Sequence, residues 1–442
     1  MRFATTRKTY LAGALALLLM VMVFPAAAGA ATKRSGKQKQ ARDSIFIDEL
    51  KDFNPANGVR AGSGSASDPF VIANWDVSSI QISDTDAHVV IRDNVVDTLV
   101  LDWIGGGIEV RNNDVGDLRV NQNRTRTGDP TSGVIENNKF GIVGQLRHFD
   151  GIFQNNVVGV KEGMNLPFIT DTRAVNFDGF NGSIFRNNTI YGYMDARLHG
   201  HHHSSGFAEQ SHYHGDSPAA HEDHGDMDHT VRYHQVHIYG NKIYADHYYA
   251  LGYLDTNHSA NDRTAASETE ETLNDPHIHY TKVFIHDNEL VGAGLYVDVF
   301  NAKDTLHKQI GRGLMEISDN KIVLHRTKDA TQRFGFPRNG IDVSQAQEIT
   351  LRILDNTITG PEAGDALTDL TGESEVAGIN LQNFDKGDLL LSGNAVTRAA
   401  YGIRAYDFTE TVNWTIQELT ANEVGQDVYW DSTVANAPKR RG

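Results

Sequence analysis

The chain has 442 residues, 20 histidines, no cysteine and a formal net charge of −17. That acidity argues against nucleic acid and anionic lipid surfaces as partners, because both carry charge of the same sign. Without cysteine, disulfides and a lipid-modified cysteine are both excluded, so the core and backbone hydrogen bonds must hold the fold.

The opening thirty residues read as a secretory signal peptide. Arg2, Arg7 and Lys8 give a positive start, Leu11 to Phe24 an apolar run, and Ala26 to Ala30 the small residues of a cleavage site. The run is short for a membrane span. The expected location is secreted, periplasmic or extracellular, with no membrane span. Residues 31–42 are basic and polar and read as a tether, residues 43–434 as the folded domain, and residues 435–442 as a basic tail. Within the domain, SIFIDEL at 44–50 alternates as a capping strand would.

One pattern then returns along the chain: an apolar residue, two variable residues, asparagine, a variable residue, an apolar residue. It reads IRDNVV at 91–96, VRNNDV at 110–115, IENNKF at 135–140, FQNNVV at 153–158, FRNNTI at 185–190 and IYGNKI at 238–243. IHDNEL at 285–290, ISDNKI at 317–322, ILDNTI at 353–358, LSGNAV at 391–396 and LTANEV at 419–424 follow. An apolar residue closes one strand, the chain bends, and another apolar residue opens the next. Asparagine tolerates the left-handed backbone of such a bend. Its amide both donates and accepts, so asparagines of successive rungs can bond as a ladder. The shortest intervals match one coil of a solenoid, and the longer ones are coils carrying outward loops. Hairpins of an antiparallel sandwich would want glycine after the asparagine, and here Val, Asp, Lys, Thr, Glu or Ala stands there. The predicted fold is an all-β, single-domain right-handed parallel β-helix with long loop insertions.

These rungs resemble those of pectate-lyase-type right-handed β-helices, and most of all the periplasmic repeat family that includes the accessory copper protein of nitrous oxide reductase. SGSASDPFVIANWDV at 63–77 is similar to the opening rung of many such proteins. The likeness spans residues 58–425 and implies the fold. It leaves function open, because this architecture hosts lyases, hydrolases, epimerases and non-catalytic binders.

The main chemical signal is an insertion at 195–234, read as a surface loop. His199, His201, His202, His203, His212, His214, His221, His224, His229 and His234 lie in it, interleaved with Glu209, Asp216, Glu222, Asp223, Asp226 and Asp228, and His237 follows. Imidazole is the commonest ligand of late first-row metals, and a tract offering many of them can enclose Zn, Cu or Ni without a preformed cage. His237, on the strand entering IYGNKI, would add a ligand from the scaffold. Tyr191, Tyr193, Tyr233, Tyr239, Tyr244, Tyr248, Tyr249 and Tyr253 crowd the same part of the chain. Tyrosines on one face would stack on sugar rings and hydrogen-bond their hydroxyls.

Asp275-Pro276-His277 resembles the D-P-H rung of mannuronan C5-epimerases. The resemblance implies a catalytic pair, His277 abstracting the sugar C5 proton beside Asp275. Ile278 stands where that family has a second acidic residue, and GLYV at 294–297 is followed by Asp298-Val299 in place of serine-arginine. A pectate-lyase-like site would instead need carboxylates holding Ca, such as Asp298 and Asp342, with Arg312, Arg352 or Arg404 as base. The expectation carried forward is an exported, non-catalytic β-helix that binds a transition metal through its His-rich loop and carbohydrate on the solenoid face. The alternative is a polysaccharide lyase or uronate C5-epimerase acting on acidic polysaccharide.

Overall fold

Each coil is organised by one bend. A computed structural model of the protein describes residues 39–121, 133–149, 151–159, 172–179, 182–198, 233–245, 247–254, 280–299, 313–325, 339–361, 376–408 and 412–430. Among these, strands stack coil upon coil into three parallel sheets. Sheet I holds strands that end at the bend, such as Val89–Arg92, Ile108–Arg111, Ser183–Arg186 and Tyr280–His286. Sheet II holds the strands that start after it, such as Thr189–Tyr191, Lys242–Tyr244, Glu289–Gly292 and Thr357–Thr359. Sheet III holds Tyr193–Leu198, Tyr249–Leu254, Gly294–Val299, the start of Ile341–Leu354, Ala377–Gln382 and the end of Ala395–Tyr406. In the first coils sheets II and III are one unbroken strand, as in Trp75–Thr85 and Val95–Ile104. Val59–Ala61 with Phe70–Ala73 is the single antiparallel strand pair among the described residues. The parallel β-helix expected from the repeat is therefore what the chain forms.

The bend explains the repeat. Asn94, Asn113, Asn138, Asn156, Asn188, Asn241, Asn288, Asn320, Asn356 and Asn394 are all buried. From Asn94 to Asn356, each donates its side-chain Nδ2 to the Oδ1 of the next asparagine, over 2.9–3.2 Å. The same Oδ1 also accepts the backbone N–H of the earlier asparagine, as Asn113 Oδ1 does from Asn94. The second Nδ2 proton goes to a carbonyl at the end of the preceding sheet I strand, for example Asn188 to Phe153 O at 3.1 Å. From Asn113 to Asn394 two donors and two acceptor sites are thus used on each amide, which is what a buried side chain of this kind needs. Beside this ladder runs an aliphatic and aromatic column in register, Ile135, Phe153, Phe185, Ile238, Ile285, Ile317 and Ile353, each fully buried.

Three details differ from the sequence reading. The left-handed residue is not the ladder asparagine but the one before it: Asp93, Asn112, Asn137, Asn155, Asn187, Gly240, Asp287, Asp319, Asp355 and Gly393 all have φ between 53° and 68°. Asp, Asn and Gly are the residues that accept this conformation, so both residues of each NN, DN or GN pair have separate duties. Asn422 is outside the ladder. Ala395 pairs with Thr420, which puts Leu419 where the next asparagine would stand and sets Asn422 opposite Thr397 on the surface. The domain edges also move. Strand Gln40–Ile47, paired with Trp75–Thr85, takes in residues assigned to the tether, and strands Tyr193–Leu198 and Tyr233–Tyr239 take in both ends of the insertion drawn at 195–234.

At the N-terminal end Trp75 occupies the ladder position. Its backbone N–H donates to Asn94 Oδ1, its indole N–H to Gly58 O at 2.8 Å, and the Arg60 guanidinium lies 3.6 Å from its ring centre. No helix among the described residues is long and apolar enough to cross a membrane. The proposed signal peptide lies outside the described residues.

Candidate functional site

A second ladder, of glycines, prepares the outward face of sheet III. Gly294, Gly340, Gly378 and Gly402 each precede a core aliphatic residue, and Leu295, Ile341, Ile379 and Ile403 pair in register. A Cβ on any of these glycines would meet a backbone carbonyl oxygen at 2.1–2.8 Å. Only glycine lets successive rungs approach so closely here. The residue after each aliphatic then points outward, and the register makes one column of them: Asp195, Gly252, Tyr296, Asp342, Asn380, Arg404 and Tyr429.

Asp342 is the centre of this column and is 6 % exposed. Its Oδ2 accepts from the Tyr248 hydroxyl and from Asn339 Nδ2, and its Oδ1 from Asn380 Nδ2, each at 2.8 Å. Asn380 Oδ1 in turn accepts from Arg404 Nε at 2.7 Å. Asp195, equally enclosed, accepts from the Tyr249 hydroxyl at 2.6 Å and faces Arg173 Nη1 at 3.4 Å. Between the two carboxylates stand the tyrosines. Tyr249 stacks on Tyr296 at 5.5 Å and 14°, and Tyr248 crosses Tyr296 at 60° and Tyr249 at 72°. Tyr296 shares a hydrogen bond with Ser344 Oγ at 2.9 Å. His247 stacks on Tyr193 at 3.9 Å at one end, and Tyr406 donates to Gln382 at 2.6 Å at the other.

Gly252 completes the arrangement by absence of a side chain. A Cβ there would lie 2.6 Å from the Tyr249 ring, so the gap in the column is the space in which that ring lies. The carboxylates sit below and hold the phenols, and the half-buried tyrosines form the outer layer. Burial, with the nearby Asp342 charge, drives the Tyr248 hydroxyl well above the ordinary tyrosine range. Burial and the hydrogen bond to Asp195 do the same for Tyr249, and burial raises Tyr296 and Tyr406. All four phenols therefore stay protonated and can donate. Burial likewise raises the carboxyl of Asp298, whose Oδ1 is closed off with no hydrogen-bond partner.

Other residues singled out in the sequence divide among the faces. The crowd of tyrosines does not share one face. Tyr193, Tyr248 and Tyr249 belong to the sheet III cluster, Tyr191 stacks on Tyr244 on sheet II, Tyr239 stacks on His286 on sheet I, and Tyr253 is fully buried. Asp342 and Arg404 converge through Asn380, but Arg352 lies on sheet I, 3.6 Å from Glu316. His237 also lies on sheet I, stacked on Phe284 at 4.7 Å. Burial lowers its basicity, with His286 adding to the effect. His234 is on the same strand, opposite Thr281. His199, His201, His202, His203, His212, His214, His221, His224 and His229 lie outside the described residues, as do Asp275, His277 and Arg312. Among the described residues no group of three or more His, Asp or Glu is placed to hold a metal ion.

Asn339, Asn380 and Tyr296 were missed, although a signal for the column exists. GLY at 294–296, GID at 340–342, GIN at 378–380 and GIR at 402–404 form a second repeat, in which glycine and an aliphatic are constant and the outward residue varies. No protein-family model, no curated protein and no solved structure matches this chain.

Proposed function

We propose that the protein is an exported, non-catalytic β-helix that binds carbohydrate along the outward face of sheet III. One observation carries this reading: Tyr248 and Tyr249, held by buried carboxylates, form with Tyr193 and Tyr296 a continuous patch, continued by Asn380, Arg404 and Tyr406. Tyrosine suits sugar recognition, since its ring covers the apolar face of a pyranose while its hydroxyl bonds to the rim. Fixing the rings beforehand reduces the ordering cost of binding.

The carboxylates are better suited to holding than to reacting. Asp195 and Asp342 lie three rungs apart, roughly 14 Å at the usual strand spacing. Glycosidase pairs need separations of roughly 5–9.5 Å. Asp342 also accepts three hydrogen bonds from the protein, which leaves little capacity for a proton or a nucleophilic attack. The test is affinity electrophoresis against a panel of soluble polysaccharides, comparing the native protein with a Tyr248→Ala/Tyr249→Ala variant. Retardation by at least one polymer, lost in the variant, supports the reading. Equal retardation of the two would remove it.

The composition of the insertion supports a second activity, binding of a late first-row divalent metal. Ten histidines between 199 and 234, with interleaved carboxylates, offer far more ligands than one ion requires. Calorimetric titration of zinc and copper into the protein and into a 199–232 deletion, which keeps strand Tyr233–Tyr239, decides this. Equal uptake by both forms contradicts it.

A further inference from the structure

The charge arrangement on sheet III points to the class of carbohydrate. Resting on the carbohydrate reading above, we infer that the ligand is an uncharged polysaccharide laid across the strands, along the stack of coils, and that polyuronates are excluded. The tyrosine patch is bounded from below and beside by carboxylates. Asp195 lies beneath Tyr249, Asp342 at the Tyr248 hydroxyl, and Asp298 two residues beyond Tyr296 on the same strand. Among the described side chains, the cations that contact this cluster stand at its two ends. Arg173 is engaged by Asp195, and Arg404 is tied to Asn380 and lies 5.8 Å and 5.7 Å from the rings of Tyr401 and Tyr406. A uronate carboxylate placed over Tyr249, Tyr296 or Tyr248 would meet negative charge in a partly buried setting, where like charges repel most.

Direction follows from the same geometry. Along one strand, successive outward residues are separated by a core residue, as Tyr296 and Asp298 are by Val297. Across the strands the outward residues are immediate neighbours, because Gly252, Tyr296, Asp342, Asn380 and Arg404 are in register. The tyrosine cluster extends along that second direction, and the Tyr248 side chain spans it by reaching Asp342 from the coil of Tyr249. A linear chain running this way meets a ring or a polar group at every rung, about 4.8 Å apart. A chain running along a strand would leave the cluster after one tyrosine.

The test uses the full chain in affinity gels at about 0.02 M ionic strength, where screening is weak. Uncharged polymers (hydroxyethyl cellulose, arabinoxylan, galactomannan) are set against polygalacturonate and alginate. The expected result is retardation by an uncharged polymer with a dissociation constant at least about tenfold below that of either polyuronate, a lower bound on the effect of like-charge contact. Equal or stronger retardation by a polyuronate would overturn the inference while leaving carbohydrate binding in place. No retardation by any polymer would overturn both.

Discussion

The inner asparagine column and the outer column of sheet III are built on the same coils and differ in one respect. In the first, the same side chain recurs from Asn94 to Asn394, and each amide between these two is satisfied by its neighbours above and below. In the second, glycine and an aliphatic residue recur while the outward position changes from Tyr296 to Asp342, Asn380 and Arg404. Uniformity serves the stack, since identical groups make identical bonds at every rung. Variation serves a ligand, since a mixed row of rings, hydroxyls, amides and a guanidinium presents a specific surface.

The largest expected effect comes from breaking the inner column. Asn188→Leu removes the acceptor used by both the backbone N–H and Nδ2 of Asn156, and the donor used by Phe153 O. Each buried group left unpaired costs about 1–3 kcal/mol, so the urea midpoint should fall steeply. Asn422→Leu, at a surface asparagine opposite Thr397, should shift stability by less than about 0.5 kcal/mol. A comparable loss from both substitutions would contradict the assignment of Asn422 outside the ladder.

Breaking the outer column should affect binding more than folding. Gly252→Ala places a Cβ against the Tyr249 ring and detaches its hydroxyl from Asp195. Polysaccharide affinity should drop at least about tenfold, the equivalent of 1.4 kcal/mol, with a smaller change in stability than Asn188→Leu. An unchanged affinity would show that Tyr249 does not touch the ligand.

Two pH effects sharpen the contrast further. The Tyr248 and Tyr249 phenols titrate higher in the folded protein than their ordinary value of 10.0. The unfolded chain therefore loses these protons first, and stability should decline as pH rises above about 10. Tyr248→Phe should reduce that decline, measured by thermal unfolding across alkaline pH. His237 behaves in the opposite sense. Its folded form holds a proton less readily than the ordinary 6.5, so the unfolded chain gains protons first as pH falls. Its contribution should be lost progressively below about pH 6.5, and His237→Phe should flatten that slope. A slope unchanged by this substitution would assign the effect to other groups.

The inner column was legible in the sequence because its signal is repetition: I-x-x-N-x-I announces itself whatever lies between the copies. The division of labour inside each NN or DN pair was not, since both residues suit a bend and only backbone geometry shows which takes positive φ. Asn422 misled because LTANEV matches the motif while the pairing of Ala395 with Thr420 shifts it out of line. The outer column was harder. Tyr248 and Asp342 are 94 residues apart and meet only because coils of unequal length return to the same face. Its constant part, glycine followed by Leu or Ile, is short and common in β-rich chains, so the outward residues that matter are the ones repetition cannot mark.

The most direct test of the central claim is a tyrosine-labelled NMR titration with the uncharged polysaccharide fragment that binds best. Signals of Tyr248, Tyr249 and Tyr296, assigned through single Phe substitutions, should shift together and saturate, while Tyr239 on sheet I and Tyr244 on sheet II stay in place. Saturating shifts at Tyr239 or Tyr244 with the three sheet III tyrosines unmoved would place the ligand elsewhere and contradict the account.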